Sequence, residues 1–237
     1  MLKKIIIAVL VVSLLVSALV SLSCDTCQTD ITTITTTATE TQPPTTTTVT
    51  VTTQPPPTTT TVTVTVEPYT GLEYLIREDP AEVDNSDLQV TPTEYLHRTG
   101  LTPEVDIEQY SLSIEGLVEN PLTLSYEMLL EYETVTEVVL LICPGFFVDN
   151  AQWTGVPLAT LLAEAGLKAE ATEITFYAMD NYKRTLSLEV VNRDGVFLAY
   201  KVNGEILPLD HGYPLRLVVS KIFGNEWVKW INRIVVG

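Results

Sequence analysis

From residue 107 onward, apolar and polar positions recur with the periods of strands and helices. "IEQYSLSIEGL" (107–117) alternates and predicts a strand, with Pro121 shortly after it. "SYEMLLEY" follows, with Ser125 placed to cap a short helix. "TEVVLLIC" (136–143) is β-branched and almost wholly apolar, as a central strand requires. "VPLATLLAEAG" sets Pro157 near its start, Leu158, Leu161 and Leu162 on one face and Gly166 beyond its end, which predicts a helix. "EITFYAM" and "YKRTLSLEVV" are extended runs on either side of an Asp180-Asn181 turn. "GVFLAYKVNGEILP" places Asn203-Gly204 between two more, the mark of a tight hairpin. "LRLVVS" and "WVKWINRIVV" complete the set. The expectation is one mixed α+β domain over residues 69–237, rich in strands and with two or three helices. At about 170 residues it can bury a core of its own.

The first 68 residues follow another pattern. "MLKK" precedes an uncharged, mostly apolar run over residues 5–22. That run lies between the length of a long signal core and that of a spanning helix. Lys3 and Lys4 on its leading side direct the rest of the chain outward. Residues 1–24 are therefore expected to be a signal peptide, a lipoprotein signal or a membrane anchor, and the domain an extracytoplasmic one tethered to the cell membrane. Cys24 stands where a lipid-modified cysteine would, and with Cys27 it forms a C-x-x-C pair that reads as a local disulfide or a lipidation site. Over residues 31–66, 20 of 36 residues are Thr and five are Pro, in an imperfect repeat of "TQPPTTTTVTV". Such a segment has too little apolar area to offset the ordering of the chain, so residues 25–68 are expected to be a disordered Thr/Pro-rich linker.

Charge narrows the partners. From Glu67 onward there are 27 acidic and 11 basic residues, which argues against nucleic acid and against an anionic lipid surface. Eight of those 11 basic residues follow Asp180, a bias that suits a local anion site and equally a solvated surface.

Three places carry candidate chemistry. Cys143 ends the central strand just before Pro144-Gly145, at a sheet rim where loops carry function; locally, the plainer reading is an inert packing cysteine. "DHGYPLR" brings His211 and Arg216 around Gly212 and Pro214. The Arg216 fork suits phosphate or carboxylate, and His211 could donate to the same anion; a turn with a surface arginine reads as well. "KIFGNEWVKW" sets Lys221 and Lys229 among Gly224, Trp227 and Trp230, either a second anion-binding stretch or an ordinary aromatic hairpin. With only two histidines, His97 and His211, a multi-histidine metal site is excluded.

The order of Cys143, "QWTGVPLATLL", "LAYKVNGEILPLDHGYPLR" and "GNEWVKWINRI" resembles the molybdopterin-binding domain of the sulfite oxidase family. "EVDIEQYSLSIEGLVENPLTLSYEML" is similar to that family's first strand and helix. The resemblance implies a mixed-sheet α+β domain holding molybdenum on molybdopterin. It makes Cys143 the catalytic protein thiolate on the metal, a soft ligand suited to it. It places Asp180, His211, Arg216, Trp227, Val228 and Lys229 against the pterin and its phosphate, with His97 or Arg98 as the contact from the N-terminal side. The cofactor would perform two-electron oxygen-atom transfer on a small oxo-compound, such as a sulfite or a sulfoxide. The family's immunoglobulin-like domain and any haem or flavin domain are expected to be absent, so that electrons pass to or from a separate haem membrane protein or cytochrome.

The sequence departs from the family at two points. Many members read C-x-G-N-R at the cysteine, where this chain has "CPGFF", which surrounds the metal with apolar groups. The leader carries two lysines instead of the twin arginine of proteins exported folded. Both departures suit an alternative reading, a cofactor-free binding module that keeps the fold.

Overall fold

In the computed structural model, Tyr69 and residues 71–237 are described in full. Ahead of them only the backbone of short antiparallel strands is described: Ile5–Ile7 with Val20–Leu22, and Ile34–Thr37 with Thr45–Thr53 and Thr58–Val66. The expected leader over residues 1–24 and linker over residues 25–68 otherwise lie outside the described residues. Among the described residues no helix is long and apolar enough to cross a membrane.

Residues 69–237 form one compact unit built on two sheets. Its strands are β1 (Ser111–Gly116), β2 (Leu122–Ser125), β3 (Val135–Cys143), β4 (Phe147–Pro157), β5 (Glu173–Ala178), β6 (Lys183–Ser187), β7 (Val196–Val202), β8 (Glu205–Ile206), β9 (Arg216–Val219) and β10 (Ile231–Val236). Three helices interrupt them: α1 (Tyr126–Leu129), α2 (Leu158–Ala165) and α3 (Leu188–Val191). The first sheet has the order β6-β5-β10-β1-β2, with β10 parallel to β1 and the other pairs antiparallel. The second has the order β8-β7-β4-β3, and β9 also pairs with β7, along residues 196–199. This is the expected mixed-sheet α+β class, with few helices.

Local sequence accounts for most elements. Ser125 Oγ accepts from the Met128 N–H at 3.3 Å and starts α1. Gly166 ends α2 with φ 70°, a conformation that suits glycine, while Leu158, Leu161 and Leu162 are buried. Asn203 and Gly204, with φ 51° and 83°, make the two-residue turn between β7 and β8. Strand β1 buries Leu112 and Ile114 against the shared core and leaves its alternate residues more exposed.

The second sheet is covered on both faces along β3 and β4. On one face Val139, Leu141, Phe147, Ala151 and Trp153 join the main core. On the other, Leu140, Ile142 and Val148 meet Leu72, Leu75, Ile76, Val83 and Leu88 of the arm that precedes β1. Polar contacts fasten that arm. The Thr91 N–H donates to the Asn150 carbonyl at 2.6 Å, and Thr91 Oγ1 accepts from the Asn150 N–H at 3.0 Å. Asn203 Nδ2 donates to the Thr91 carbonyl at 2.9 Å.

Three features differ from the expectation. Strand β4 was not anticipated, because "FVDNAQWTGVP" mixes apolar residues with Asp149, Asn150, Gln152 and Gly155. In β4 Asp149 and Asn150 find partners in His97 and Thr91 of the arm, and the Gln152 N–H donates to Asn203 Oδ1 at the β7–β8 turn, partners that sequence periodicity does not show. The run "TLSLEVV" ends its strand at Ser187, whose Oγ accepts from the Val190 N–H at 3.4 Å and opens α3. "WVKW" is a loop and not a strand; the chain turns at Trp230, with φ 53°, before β10 begins.

Candidate active site

Cys143 is the last residue of β3 and pairs across the hairpin with Phe147. The turn between them closes with the Phe146 N–H on the Cys143 carbonyl at 3.0 Å and with Gly145 at φ 77°. Cys143 is half-buried against the main core, and burial pushes its thiol up from the usual range. Such a thiol holds its proton at neutral pH unless a metal cation displaces it. Side chains alternate across a strand, so Leu141 and Cys143 share a face with Phe147, Asp149, Ala151 and Trp153.

Arg216 lies on that face. Its guanidinium stands 4.9 Å from the Trp153 ring centroid and 5.4 Å from that of Trp227, and the two rings meet edge to face. One Nη donates to the His211 carbonyl at 3.0 Å. Its Nε is buried and has no partner among the described residues, and no carboxylate there lies within ion-pair distance of it. Burial lowers it to about 10, offset in part by the charge of Asp149. A buried cation without a paired anion is costly unless a ligand supplies the charge.

His211, Gly212 and Lys229 adjoin it. His211 is buried; desolvation pushes its imidazole down to about 4, and Asp210, 3.8 Å away, reverses only part of that. Gly212 has φ 119°, and a Cβ there would stand 3.1 Å from Arg216 Cβ and 3.2 Å from Lys229 Cβ. Only glycine lets the loop pass that close to both cations. Lys229 Nζ donates to the Asp210 carbonyl at 3.0 Å and to the Thr99 carbonyl. Burial, and then Arg216, lower it to about 8, so it is still mainly charged at neutral pH.

The structure thus brings His211, Arg216, Trp227 and Lys229 into one cluster. Trp227 Nε1 is engaged by the Val219 carbonyl at 3.0 Å, so this residue contributes a wall over Arg216. Val228 is buried, and its carbonyl accepts from the Leu217 N–H at 2.7 Å, which joins the loop to β9. Asp180 caps its own turn by accepting from the Tyr182 N–H at 2.9 Å, and its charge reaches Lys229. Arg98 pairs with Asp210 at 2.8 Å, which ties the arm to the same loop. The Gly224–Glu226 turn sits against the end of β3, where a Gly224 Cβ would lie 3.1 Å from Leu141.

Two participants escaped the sequence reading. Asp149 is a buried carboxylate that accepts from the His97 backbone N–H at 3.0 Å and from its Nδ1 at 2.8 Å. Trp153 is the second ring over Arg216, and its own Nε1 has no partner among the described residues. "QWTG" held the tryptophan in view, but nothing in its spacing said that a cation would lie over it.

These groups fit molybdopterin. One half-buried thiol stands at a strand end, an unpaired buried guanidinium offers a free Nε–H to an anion, and a glycine leaves room between two cations. Among the described residues no group of three or more His, Cys, Asp or Glu comes together to hold a metal. A metal at Cys143 would take one ligand from the protein and the rest from its cofactor.

Comparison with known proteins agrees. The family model described as an oxidoreductase molybdopterin binding domain matches residues 99–237. A nitrate reductase [NADPH] of Phytophthora infestans is 31% identical over 70% of this chain and 22% of its own length. That of Leptosphaeria maculans is 35% identical over 60% of this chain and 19% of its own. The chain therefore spans about a fifth of the length of these relatives. The crystal structure of the sulfane dehydrogenase SoxCD from Paracoccus pantotrophus is similar with a TM-score of 0.59 and 31% identity, over 67% of this chain and 45% of that one. The chain belongs to the family of oxidoreductases with a molybdopterin-binding domain.

Proposed function

We propose that this protein is a molybdenum–molybdopterin oxidoreductase that moves one oxygen atom, with two electrons, to or from a small oxo-compound of the sulfite or sulfoxide type. The observation that carries this reading is Arg216, a buried guanidinium with a free Nε on the sheet face that also bears Cys143. When bound, the cofactor supplies the two-electron oxygen-atom chemistry. The chain's own residues bind and orient it. Cys143 gives a thiolate to the metal. Arg216 and Lys229 neutralise the phosphate, and His211, held neutral by burial, offers a hydrogen bond without adding charge. Trp227 and Val228 shape the wall of the pterin site, and Asp180 holds the turn facing Lys229. Phe146, 79% exposed beside Cys143, and Phe147 stand where many relatives carry Asn-Arg. Their apolar surface favours an uncharged sulfoxide-type substrate over an anion.

This reading puts the electron carrier on a separate haem membrane protein or cytochrome. The lysine-led apolar segment and the Thr/Pro-rich linker support a position outside the cytoplasm, tethered to the membrane. The test is metal analysis of protein expressed with its own maturation machinery. Near-stoichiometric molybdenum in the wild type and none in Cys143→Ala is the expected result. A metal-free wild type, or a Cys143→Ala variant that keeps its molybdenum, would refute the reading.

A further inference from the structure

His97 and Asp149 form a dyad outside the cluster of His211, Arg216, Trp227 and Lys229. Asp149 accepts twice from this one residue, once from its main chain and once from its ring. The imidazole also stacks on Phe147, with centroids 4.8 Å apart and planes 15° from parallel. Two contacts to the ring and one to its main chain thus define its position, the support that a working group needs. Asp149 is buried, so its acceptance from Nδ1 sets the tautomer and leaves Nε2 on the far edge of the ring. The His97 side chain is 39% exposed, so that edge is open to a small molecule and to solvent.

The dyad is placed beside the reacting centre. Phe147, under the ring, is the cross-strand partner of Cys143, and Asp149 projects on the same sheet face two residues further on. The charged groups around it are accounted for. Arg98, the next residue, is paired with Asp210, and Arg216 and the Tyr69 phenol face Asp149 from the core and from the arm. His97 thus stacks on the cross-strand partner of Cys143, and its Nε2 has no hydrogen-bond partner among the described residues.

We infer that His97, oriented by Asp149, is the proton-transfer group of this site and exchanges a proton through Nε2 with the oxygen atom being moved. This rests on the oxygen-atom-transfer reading above. In the reducing direction an oxide R–O takes up two electrons and two protons and becomes R and water. The electrons come from a reduced one-electron haem carrier in two steps. Nε2 gives one proton to the leaving oxygen and is recharged from solvent, and the second proton comes from solvent. In the oxidising direction water supplies the oxygen, the same nitrogen accepts one of its protons and solvent the other, and the two electrons pass one at a time to the oxidised haem carrier.

The test compares holoprotein of the wild type, His97→Gln and Asp149→Asn for molybdenum content and for kcat against pH with a dialkyl sulfoxide and a reduced haem donor. Expected are unchanged molybdenum in both variants and a fall of about 10²-fold or more in kcat for His97→Gln, the usual worth of a positioned acid. The kcat–pH profile of the wild type should be lost in His97→Gln and altered in Asp149→Asn. A His97→Gln enzyme with the wild-type rate and profile overturns the inference, and so does one that loses its molybdenum, since His97 would then be holding the cofactor. An Asp149→Asn enzyme with the wild-type kcat and profile overturns the orienting role of Asp149. A wild type without molybdenum overturns the reading on which the inference rests, and is distinguished by that assay alone.

Discussion

The two sheets of the domain handle polarity in opposite ways. In the first, β1 and β5 bury every second residue and turn the others outward. In the second, β9 is buried at all four positions and β7 at nearly all. Its buried polar groups, Asp149, Asn150, His211 and Arg216, all lie in β4, in β9 or in the turn leading into β9. A sheet with one wet face can place charge in water at little cost. A sheet covered on both faces keeps charge only where something compensates for it. Asp149 is compensated by the arm, through the His97 N–H at 3.0 Å and its ring Nδ1 at 2.8 Å. Arg216 is compensated by nothing charged within ion-pair distance among the described residues. The uneven distribution of buried charge is therefore itself the pointer to the ligand.

The comparison can be broken first at Arg216. Arg216→Met keeps the apolar stem between the two tryptophans and removes the charge. Cofactor-free protein should be as stable as the wild type or more so, because an apolar replacement of a buried ion is tolerated. Molybdenum content should fall at least tenfold, as measured by metal analysis beside thermal unfolding. A stable variant that loads normally would mean that the guanidinium serves packing alone.

A smaller effect is expected from acid. The His211 imidazole lies near 4 in the folded chain and at its ordinary value, about 6.5, when unfolded. Below 6.5 the unfolded chain takes up the proton first, so stability is complete above that pH and erodes as the pH falls toward 4. The loss across that window is on the order of 3 kcal/mol. Denaturant unfolding of cofactor-free protein at several pH values measures it, and His211→Gln should flatten the slope.

The smallest effect belongs to the first sheet. Glu115 and Arg233 face each other at 3.4 Å, each about half exposed. Glu115→Gln should change stability by less than about 1 kcal/mol and leave molybdenum untouched, as an exposed pair does. A large effect there would show that the outer face of that sheet is covered.

Much of this was legible in the sequence where local chemistry decides structure. Ser125, Gly166 and the Asn203-Gly204 pair each determine a cap or a turn from their own properties, and the structure places each where its type implies. Cys143 at a strand end, and His211, Arg216 and Lys229 in one neighbourhood, were also within reach. What stayed hidden depends on contacts far apart along the chain. Asp149 is paired by a residue 52 positions earlier, and the interior of β4 is satisfied from Thr91 and Asn203. Periodicity registers a polar residue and not its partner. Asn203 shows both sides at once: its dipeptide announces the turn, while its amide holds Thr91, 112 residues away.

The parallel pairing of β1 with β10 also bears on how the protein is made. Tyr110 donates to the Ile231 carbonyl at 2.6 Å, and Lys229 reaches back to the Thr99 carbonyl. The arm carrying His97 and the strand carrying Cys143 leave the ribosome long before the residues that lock them in place. Contacts this distant in sequence form late in folding. A nascent chain stalled before β10 would lack the strand that pairs with β1 and the Ile231 carbonyl that holds Tyr110, so the arm is locked only after β10 has been made.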